Sequence, residues 1–385
     1  MKINNIEKAS ERIKNAVLNN ERIILYGDSD LDGIASVVIL GEAIKNIGGR
    51  VDCAFFPDRE KDGYGLNLNA LEVLKAKAPA LLITLDLGIG NVKEVEVAKK
   101  YNLDVMIVDH HEPLDKVPDA KIIVDPKQKD DSYPFKGLAN VGVTFRLAEE
   151  ILGDNMSDNL RKSLLELTAL ATIADMVPQV DENKYFIEEG LRSLKNTFRP
   201  GLKALLTILG DGNVFAGGIL KFISALNSAE SLGFENESYS LLTSSSDKEC
   251  YNLAQELVNK TQAKQHRIKE ICDEIERRIS QKPDEAVIFE GDVSWRLVLA
   301  GSVASTICNK YAKPTFIFRK GTDVCCGSVR NPEGTDSVSA MKTCSDFLIT
   351  FGGHVLASGF RVKTQDLEKF KTRLNKYFSK LNKSK

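Results

Sequence analysis

The sequence predicts an α/β fold: a doubly wound, mostly parallel sheet domain, a long connecting helix and a second, smaller α/β domain. Three observations indicate it. Short apolar runs of strand length alternate with helical patterns through the first 125 residues. These runs are apolar almost throughout, which is typical of parallel strands with both faces covered. A polar, charge-alternating stretch over 247–280, without glycine or proline, then precedes a second series of strands and helices.

The predicted elements follow one another closely in the first half. They are a helix over 5–19, a strand over 23–26, a helix over 34–47, strands over 51–56 and 80–85, a helix over 92–101, and strands over 105–108 and 122–124. Residues 138–195 read as mostly helical, whereas 196–245 give no clear pattern.

The second half predicts strands over 286–289, 314–318 and 324–329, with helices over 298–311 and 336–349. The domain boundaries expected from these patterns are 1–195, a helical connector over 196–280, and 281–385. We expect the active site in the cleft between the first and last of these.

Composition bounds the class of protein. The chain has 385 residues, 43% of them hydrophobic and 28% charged, and a formal net charge of -2, so it is not coated in positive charge. A local basic groove for nucleic acid stays possible. The seven cysteines are scattered without a CxxC pair, which fits neither a disulfide framework nor a zinc ribbon. We find no signal or membrane helix, and expect a cytoplasmic protein without membrane association.

Acidic residues crowd the turn after the first strand, where Asp28, Asp30 and Asp32 lie within five positions. Three carboxylates this close repel one another unless a cation neutralises them. A calcium loop of the EF-hand type would need a glutamate at its twelfth position, which is Ile39, and a preceding helix rather than a strand. A solvated acidic loop stays open as the plain alternative.

Further acids and both neighbouring histidines follow later strands. Asp86 ends the strand over 80–85, and Asp109, His110 and His111 end the strand over 105–108. Because the carboxyl ends of parallel strands meet at one edge, these side chains should converge there. Asp175 ends an otherwise apolar helix, a place where a lone aspartate is most often only a cap.

This constellation predicts a metal centre. It offers ligands for two divalent cations, namely Asp28, Asp30, Asp32, Asp86, His110 and Asp175. Asp109 and His111 are then left for orientation and substrate. Carboxylate-rich sites with few imidazoles favour Mn²⁺ or Mg²⁺, and two such ions about 3.5–4 Å apart support phosphoester hydrolysis. The sequence carries no Walker lysine motif and no GxSxG elbow.

These motifs resemble the four motifs of the DHH phosphoesterase superfamily, which here are Asp28 to Gly33, Asp86, Asp109 to His111, and Asp175. Gly352 to His354 resembles the motif of the DHH-associated C-terminal domain of that superfamily. Within the superfamily the sequence most resembles the RecJ family of single-strand-specific exonucleases, over nearly the whole chain. That likeness is carried by residues 57–59 with 63–65, 141–143, 172–175 with 182–183, Trp295 and 327–330.

The resemblance implies a hydrolase: a Mn²⁺-dependent or Mg²⁺-dependent nuclease with two ions, which removes 5′ nucleotides from single-stranded DNA in repair and recombination. The residues listed above would bind the metals, with His111 at the scissile phosphate and Asp109 orienting the histidine pair. It implies substrate contacts from Arg59, Ser328 and Arg330 to the 5′-terminal phosphate, and from Gly352, Gly353 and His354 near the nucleotide. It makes 1–195 the catalytic domain and 281–385 the substrate-binding domain.

Three departures from the family pattern affect the expected substrate. We expect no separate segment for the OB-fold that commonly holds single strands in this family. Residues 225–231 lack two flanking arginines, and Asp125 stands where asparagine is commoner. The first two favour short oligonucleotides. The alternatives are therefore an oligoribonuclease or dinucleotide phosphodiesterase, and, less favoured, a silent replication scaffold. Single-strand-binding, replication and repair proteins are the partner classes suggested.

Overall fold

A computed structural model describes residues 1–58, 62–63, 65–113, 116–353 and 355–383, apart from the side chains at 213, 216, 382 and 383. The chain divides into two compact units, Met1–Thr261 and Gln262–Lys385. Among the described residues, every helix is too short or too polar to cross a membrane.

Unit 1 contains a main sheet of five strands and a series of helices. The strands are β1 Ile23–Gly27, β2 Val51–Phe55, β3 Ala80–Leu85, β4 Leu103–Val108 and β5 Ile122–Val124. The helices up to residue 194 are α1 Ile6–Leu18, α2 Leu31–Asn46, α3 Leu68–Leu74, α4 Val92–Lys100, α5 Asn140–Leu152, α6 Asp158–Ala174 and α7 Asp181–Leu194. Those that follow are α8 Pro200–Leu209, α9 Asp211–Asn213, α10 Ile219–Leu226 and α11 Glu237–Thr243.

The first sheet is parallel, in the order β2-β1-β3-β4-β5. One of its faces packs with α1, α2, α5 and α6 in a core that includes Ile34, Leu81 and Phe145. The other packs with α3 and α4 around Ile24 and Val105. Both faces are therefore covered, which explains the fully buried β3 and confirms the doubly wound prediction. The order also places the carboxyl ends of β1, β3 and β4 side by side.

Unit 2 contains a mixed sheet. The long helix α12 Asp247–Ser280 begins in unit 1 and ends in unit 2. The elements of unit 2 that follow it are β8 Ile288–Asp292, α13 Leu297–Tyr311, β9 Thr315–Arg319, β10 Val324–Arg330, α14 Ser337–Lys342, β11 Leu348–Gly353, β12 Ala357–Lys363 and α15 Leu367–Lys383. A two-residue hairpin pair, β6 Ser231–Leu232 and β7 Glu235–Asn236, belongs to unit 1.

The second sheet has the order β11-β12-β10-β9-β8, with β8 and β9 parallel and the other pairs antiparallel. One face forms a phenylalanine-rich core that includes Phe316, Phe360 and Phe370. The other packs with α13 and the end of α12 around Ile317 and Val303. The predicted smaller α/β domain is confirmed.

The helix predicted over 336–349 is wrong in its second half. α14 ends at Lys342, and Leu348–Gly353 forms β11, which pairs with β12. The prediction fails there because pairing with the next strand along the chain outweighs local helix propensity. The units divide at residues 261 and 262, inside α12. The three-part boundaries and the cleft between domains stay predictions.

Candidate metal centre

The acidic turn between β1 and α2 is fixed by its own backbone. Asp30 is the N-cap of α2, and its Oδ1 accepts hydrogen bonds from the amides of Asp32 and Gly33 at 3.1 and 3.2 Å. A Cβ atom on Gly33 would lie 2.5 Å from the Asp28 carbonyl oxygen, so only glycine allows this close approach. The cap and the glycine together hold Asp28, Asp30 and Asp32 in one short turn.

Asp86 follows β3 at the same edge of the sheet. Its backbone has a φ of 65°, a left-handed conformation that few residues other than glycine adopt, and its amide donates to the Val108 carbonyl at 3.1 Å. Strained backbone of this kind is concentrated at functional sites. The Asp86 side chain is buried beside the ends of β1 and β4.

His110 has one defined tautomer. Its Nδ1 lies 3.0 Å from the Leu138 carbonyl oxygen, which can only accept, so Nδ1 carries the proton and Nε2 carries the lone pair. That Nε2 lies 3.3 Å from Asp86, 3.7 Å from Asp175 and 3.8 Å from Asp32. It has no hydrogen-bond partner among the described residues.

Asp109 holds the two histidines in place. Its Oδ2 accepts from the Ile89 amide at 3.0 Å, and its Oδ1 accepts from the amides of His110 and His111 and from Nδ1 of His111, the last at 2.7 Å. Asp109 is fully buried, whereas the His111 side chain is 40% exposed. Asp109 is thus engaged by protein donors, and His111 presents the rest of its ring outward.

The side chains predicted from the sequence as metal ligands converge. Three overlapping groups have ligand atoms within 4.8 Å of one another: Asp28, Asp30 and Asp86; Asp32, His110 and Asp175; and Asp86, His110 and His111. In the last group the Nδ1 of His111 already donates to Asp109, which leaves Asp86 and His110 as the available donors. Asp86 and His110 each belong to two of the three groups.

The donor set fits divalent cations. A lone pair on His110 Nε2 surrounded by carboxylate oxygens is repulsive unless a proton or a cation lies between them. Oxygen-rich sites with one imidazole suit Mn²⁺ or Mg²⁺. The Leu138 carbonyl fixes the ring from behind, in the way that outer partners orient metal-binding histidines.

The charges of the cluster are strongly perturbed. Burial, reinforced by the neighbouring carboxylates, raises the pKa of Asp32 and Asp86 well above the ordinary value, and burial and Asp30 raise the pKa of Asp175 to about 7. Burial lowers the pKa of His110 to about 4, so this imidazole is neutral at pH 7.

The pKa values of Asp109 and His111 shift in the directions that favour their charged forms. Burial opposes ionisation of both partners, but their mutual hydrogen bond lowers the pKa of Asp109 and raises the pKa of His111. His111 is thus held toward its positively charged form at the exposed side of the centre. A cation there can interact with a phosphate oxygen.

Sequence reasoning missed three backbone and side-chain supports of the site. The amides of Asn140 and Val141, at the start of α5, donate to Asp32 at 2.8 and 2.7 Å. Asn227 Oδ1 accepts from the amide of Leu31, the first residue of α2, at 2.9 Å. Asn227 lies within the segment 225–231 that lacks the flanking arginines, so this segment still supports the acidic turn.

Unit 2 brings together part of the predicted substrate site. Ser328 and Arg330 lie on one face of β10, and Ser328 pairs with Gly359, which pairs with Gly352. The three predicted residues Ser328, Arg330 and Gly352 therefore share one face of the sheet. Gly353 follows at the end of β11. The predicted contacts Arg59 and His354 lie outside the described residues.

The Arg330 guanidinium is held by uncharged partners. Its Nε donates to Ser305 Oγ at 3.1 Å and its Nη1 to the Val329 carbonyl at 2.8 Å, and no carboxylate lies within 4.0 Å among the residues that the structure describes. Burial lowers the pKa of its guanidinium. A Cβ on Gly301 of α13 would lie 3.1 Å from Nη2, so the glycine leaves room beside the guanidinium.

Comparison with known proteins agrees with this geometry. A family model described as "DHH family, N-terminal domain" matches residues 22–172. The single-stranded-DNA-specific exonuclease RecJ of Bacillus subtilis is 35% identical over 96% of this chain, which spans 47% of that relative's length. RecJ of Salmonella typhimurium is 31% identical over 96% of this chain and 68% of the relative.

Solved structures give the same result. A crystal structure of exonuclease RecJ bound to manganese superposes with a TM-score of 0.81 at 25% identity, covering 98% of this chain and 95% of the other. RecJ of Thermus thermophilus in complex with Mn²⁺ gives a TM-score of 0.83 over 99% of this chain and 55% of the other; at 24% identity it supports the fold alone. This chain belongs to the RecJ family.

Proposed function

We propose that this chain is a metal-dependent exonuclease that hydrolyses single-stranded DNA from the 5′ end and releases nucleoside 5′-monophosphates, using two Mn²⁺ or Mg²⁺ ions. The observation that carries the proposal is the lone pair of His110 Nε2, which faces Asp86, Asp175 and Asp32 at 3.3 to 3.8 Å. The names of the RecJ relatives support single-stranded DNA as the substrate.

The two ions would be held by Asp28, Asp30, Asp32, Asp86, His110 and Asp175. When bound, such ions polarise the phosphoryl group and supply hydroxide at neutral pH. The protein residues contribute position and charge. Asp109 fixes the orientation of the His111 ring through the 2.7 Å bond to Nδ1, so the proton on Nε2 of the charged ring would be available to a phosphate oxygen of the scissile bond.

The terminal phosphate would bind in unit 2. Arg330 offers a guanidinium without a carboxylate partner among the described residues, and Ser328 adds a hydroxyl on the same face of β10. Arginine binds phosphate through parallel N–H groups, which fixes orientation as well as charge. A site that selects a terminal phosphate would impose the 5′ polarity. The proposal also includes a role in repair and recombination in the cytoplasm.

The test compares single-stranded DNA labelled at the 5′ or the 3′ end, RNA of the same sequence and dinucleotides, with Mn²⁺ and with Mg²⁺. We expect labelled mononucleotide to appear first from the 5′-labelled DNA. Release from the 3′ end first would refute the polarity. Faster turnover of dinucleotides than of long DNA would favour the oligoribonuclease alternative, and no turnover of any substrate would favour the scaffold.

A further inference from the structure

One face of the second sheet carries a row of paired side chains that includes two arginines. Cys326 of β10 pairs directly with Arg319 of β9 on one side and with Arg361 of β12 on the other. Arg361 in turn pairs with Thr350 of β11. Directly paired residues point to the same face of a sheet, so these four side chains form one row across four strands. We call Arg319, Cys326, Arg361 and Thr350 the arginine row.

The row lies on the face that also carries Ser328 and Arg330. Ser328 is two residues from Cys326 on β10, and therefore about 7 Å along the strand. The row that contains Ser328 continues through Gly359 and Gly352, neither of which has a side chain. These glycines leave a shallow trough beside the arginine row, on the opposite face from the phenylalanine-rich core.

The cations of the row have no counter-charge of their own. Arg319, Arg361 and the adjacent Lys363 are exposed, and within the described part of unit 2 none of them has a carboxylate within 4.0 Å. Asp292 pairs with Arg319 in the strand register, but its carboxylate already binds Arg278 at 2.9 Å. The net charge of the row is therefore positive, next to an arginine that itself faces no acid.

We propose that Arg319 and Arg361 form a second phosphate-binding subsite, which holds a backbone phosphate of the single strand next to the Ser328 and Arg330 pocket. Two guanidinium groups in one row, beside a trough that lacks side chains, suit an extended polyanion. A nucleotide of an extended strand spans the roughly 7 Å between this row and the row of Ser328. The subsite rests on the proposed function, since it takes the same substrate.

The test is the salt dependence of binding. Fluorescence anisotropy with a 3′-labelled, 5′-phosphorylated oligothymidylate in EDTA measures affinity without turnover. Each phosphate contact to a single strand contributes about 0.7 to the slope of log K against log salt concentration. We expect the slope of the Arg319→Gln/Arg361→Gln double variant to fall by about 1.4 and its affinity to weaken at every salt concentration.

Two further variants separate charge from folding. Arg361→Lys keeps the charge and should keep the slope within about 0.3. Lys376→Gln removes an exposed cation from α15, on the other side of the sheet, and should leave the slope unchanged.

An unchanged slope in the double variant, with wild-type protein that binds and degrades the strand, overturns the subsite and leaves the proposed function intact. An equal loss in Lys376→Gln would also overturn it, because the effect would then be general charge. Wild-type protein that neither binds nor degrades the strand would overturn both proposals.

Discussion

Replacing Asp175 with asparagine should make the metal-free protein more stable at alkaline pH. Asp175 ends α6 with its Oδ2 3.7 Å from His110 Nε2, and burial and Asp30 raise its pKa to about 7 from 3.8. A carboxyl whose pKa is raised on folding stabilises the folded state fully below pH 3.8 and loses that contribution as the pH rises through about 7. Asparagine is neutral at every pH and can donate to the His110 lone pair.

The size of the effect follows from the shift. Since one pKa unit corresponds to about 1.4 kcal/mol, ionised Asp175 destabilises the folded protein by about 4 kcal/mol at pH 8. At pH 5 the folded carboxyl keeps its proton and the penalty is about 1.7 kcal/mol. The stability of wild-type protein should therefore fall by about 2.5 kcal/mol more than that of Asp175→Asn between pH 5 and pH 8.

Urea unfolding in EDTA at the two pH values measures this difference. The exposed Asp130→Asn substitution is the matched control and should follow the wild type. Excess Mn²⁺ should stabilise the wild type more at pH 8 than at pH 5, because the ligands must release their protons, and should stabilise Asp175→Asn less. An identical pH dependence for wild type and Asp175→Asn would refute the crowding of carboxylates on which the metal site is argued.

Three further substitutions test separate parts of the site. His111→Ala should lower kcat at least 100-fold with Mn²⁺-dependent stabilisation retained, because the ring serves the phosphate and not the ions; unchanged kcat would contradict its role. Asn227→Ala removes the acceptor of the Leu31 amide and should reduce stability by about 1–2 kcal/mol and weaken Mn²⁺ binding, measured by calorimetry. If Asn227→Ala binds Mn²⁺ as tightly as the wild type does, the role of Asn227 is structural only. Arg330→Gln should abolish the preference for 5′-phosphorylated over 5′-hydroxyl strands, whereas Arg330→Lys should retain part of it; a preserved preference in the glutamine variant would place the terminal phosphate elsewhere.

The parts of the site that sequence could predict are those encoded locally. Asp28, Asp86 and His110 follow apolar runs of strand length, and parallel topology then brings the strand ends together. Asp28, Asp86 and His110 could be placed at one edge on that basis alone. Asp175 was ambiguous, since its contribution depends on a helix end meeting the edge of the sheet.

The parts that sequence could not predict depend on contacts between distant residues. The tautomer of His110 is set by the Leu138 carbonyl, and the acidic turn is supported by Asn227, which is 196 residues from its partner Leu31. The sequence pattern predicts helix where β11 forms, because the pairing of β11 with β12 is a tertiary contact. The arginine row exists only through the register of four strands, which no pattern within a single strand encodes.

The most direct test of the central claim is anomalous diffraction from crystals of this protein grown with Mn²⁺. We expect two anomalous peaks about 3.5–4 Å apart, one of them coordinated by Nε2 of His110, with Asp86 between them. Asp109 should keep its four hydrogen bonds and stay outside both coordination shells. No anomalous density at Nε2 of His110 in protein that is saturated with Mn²⁺ would contradict the account.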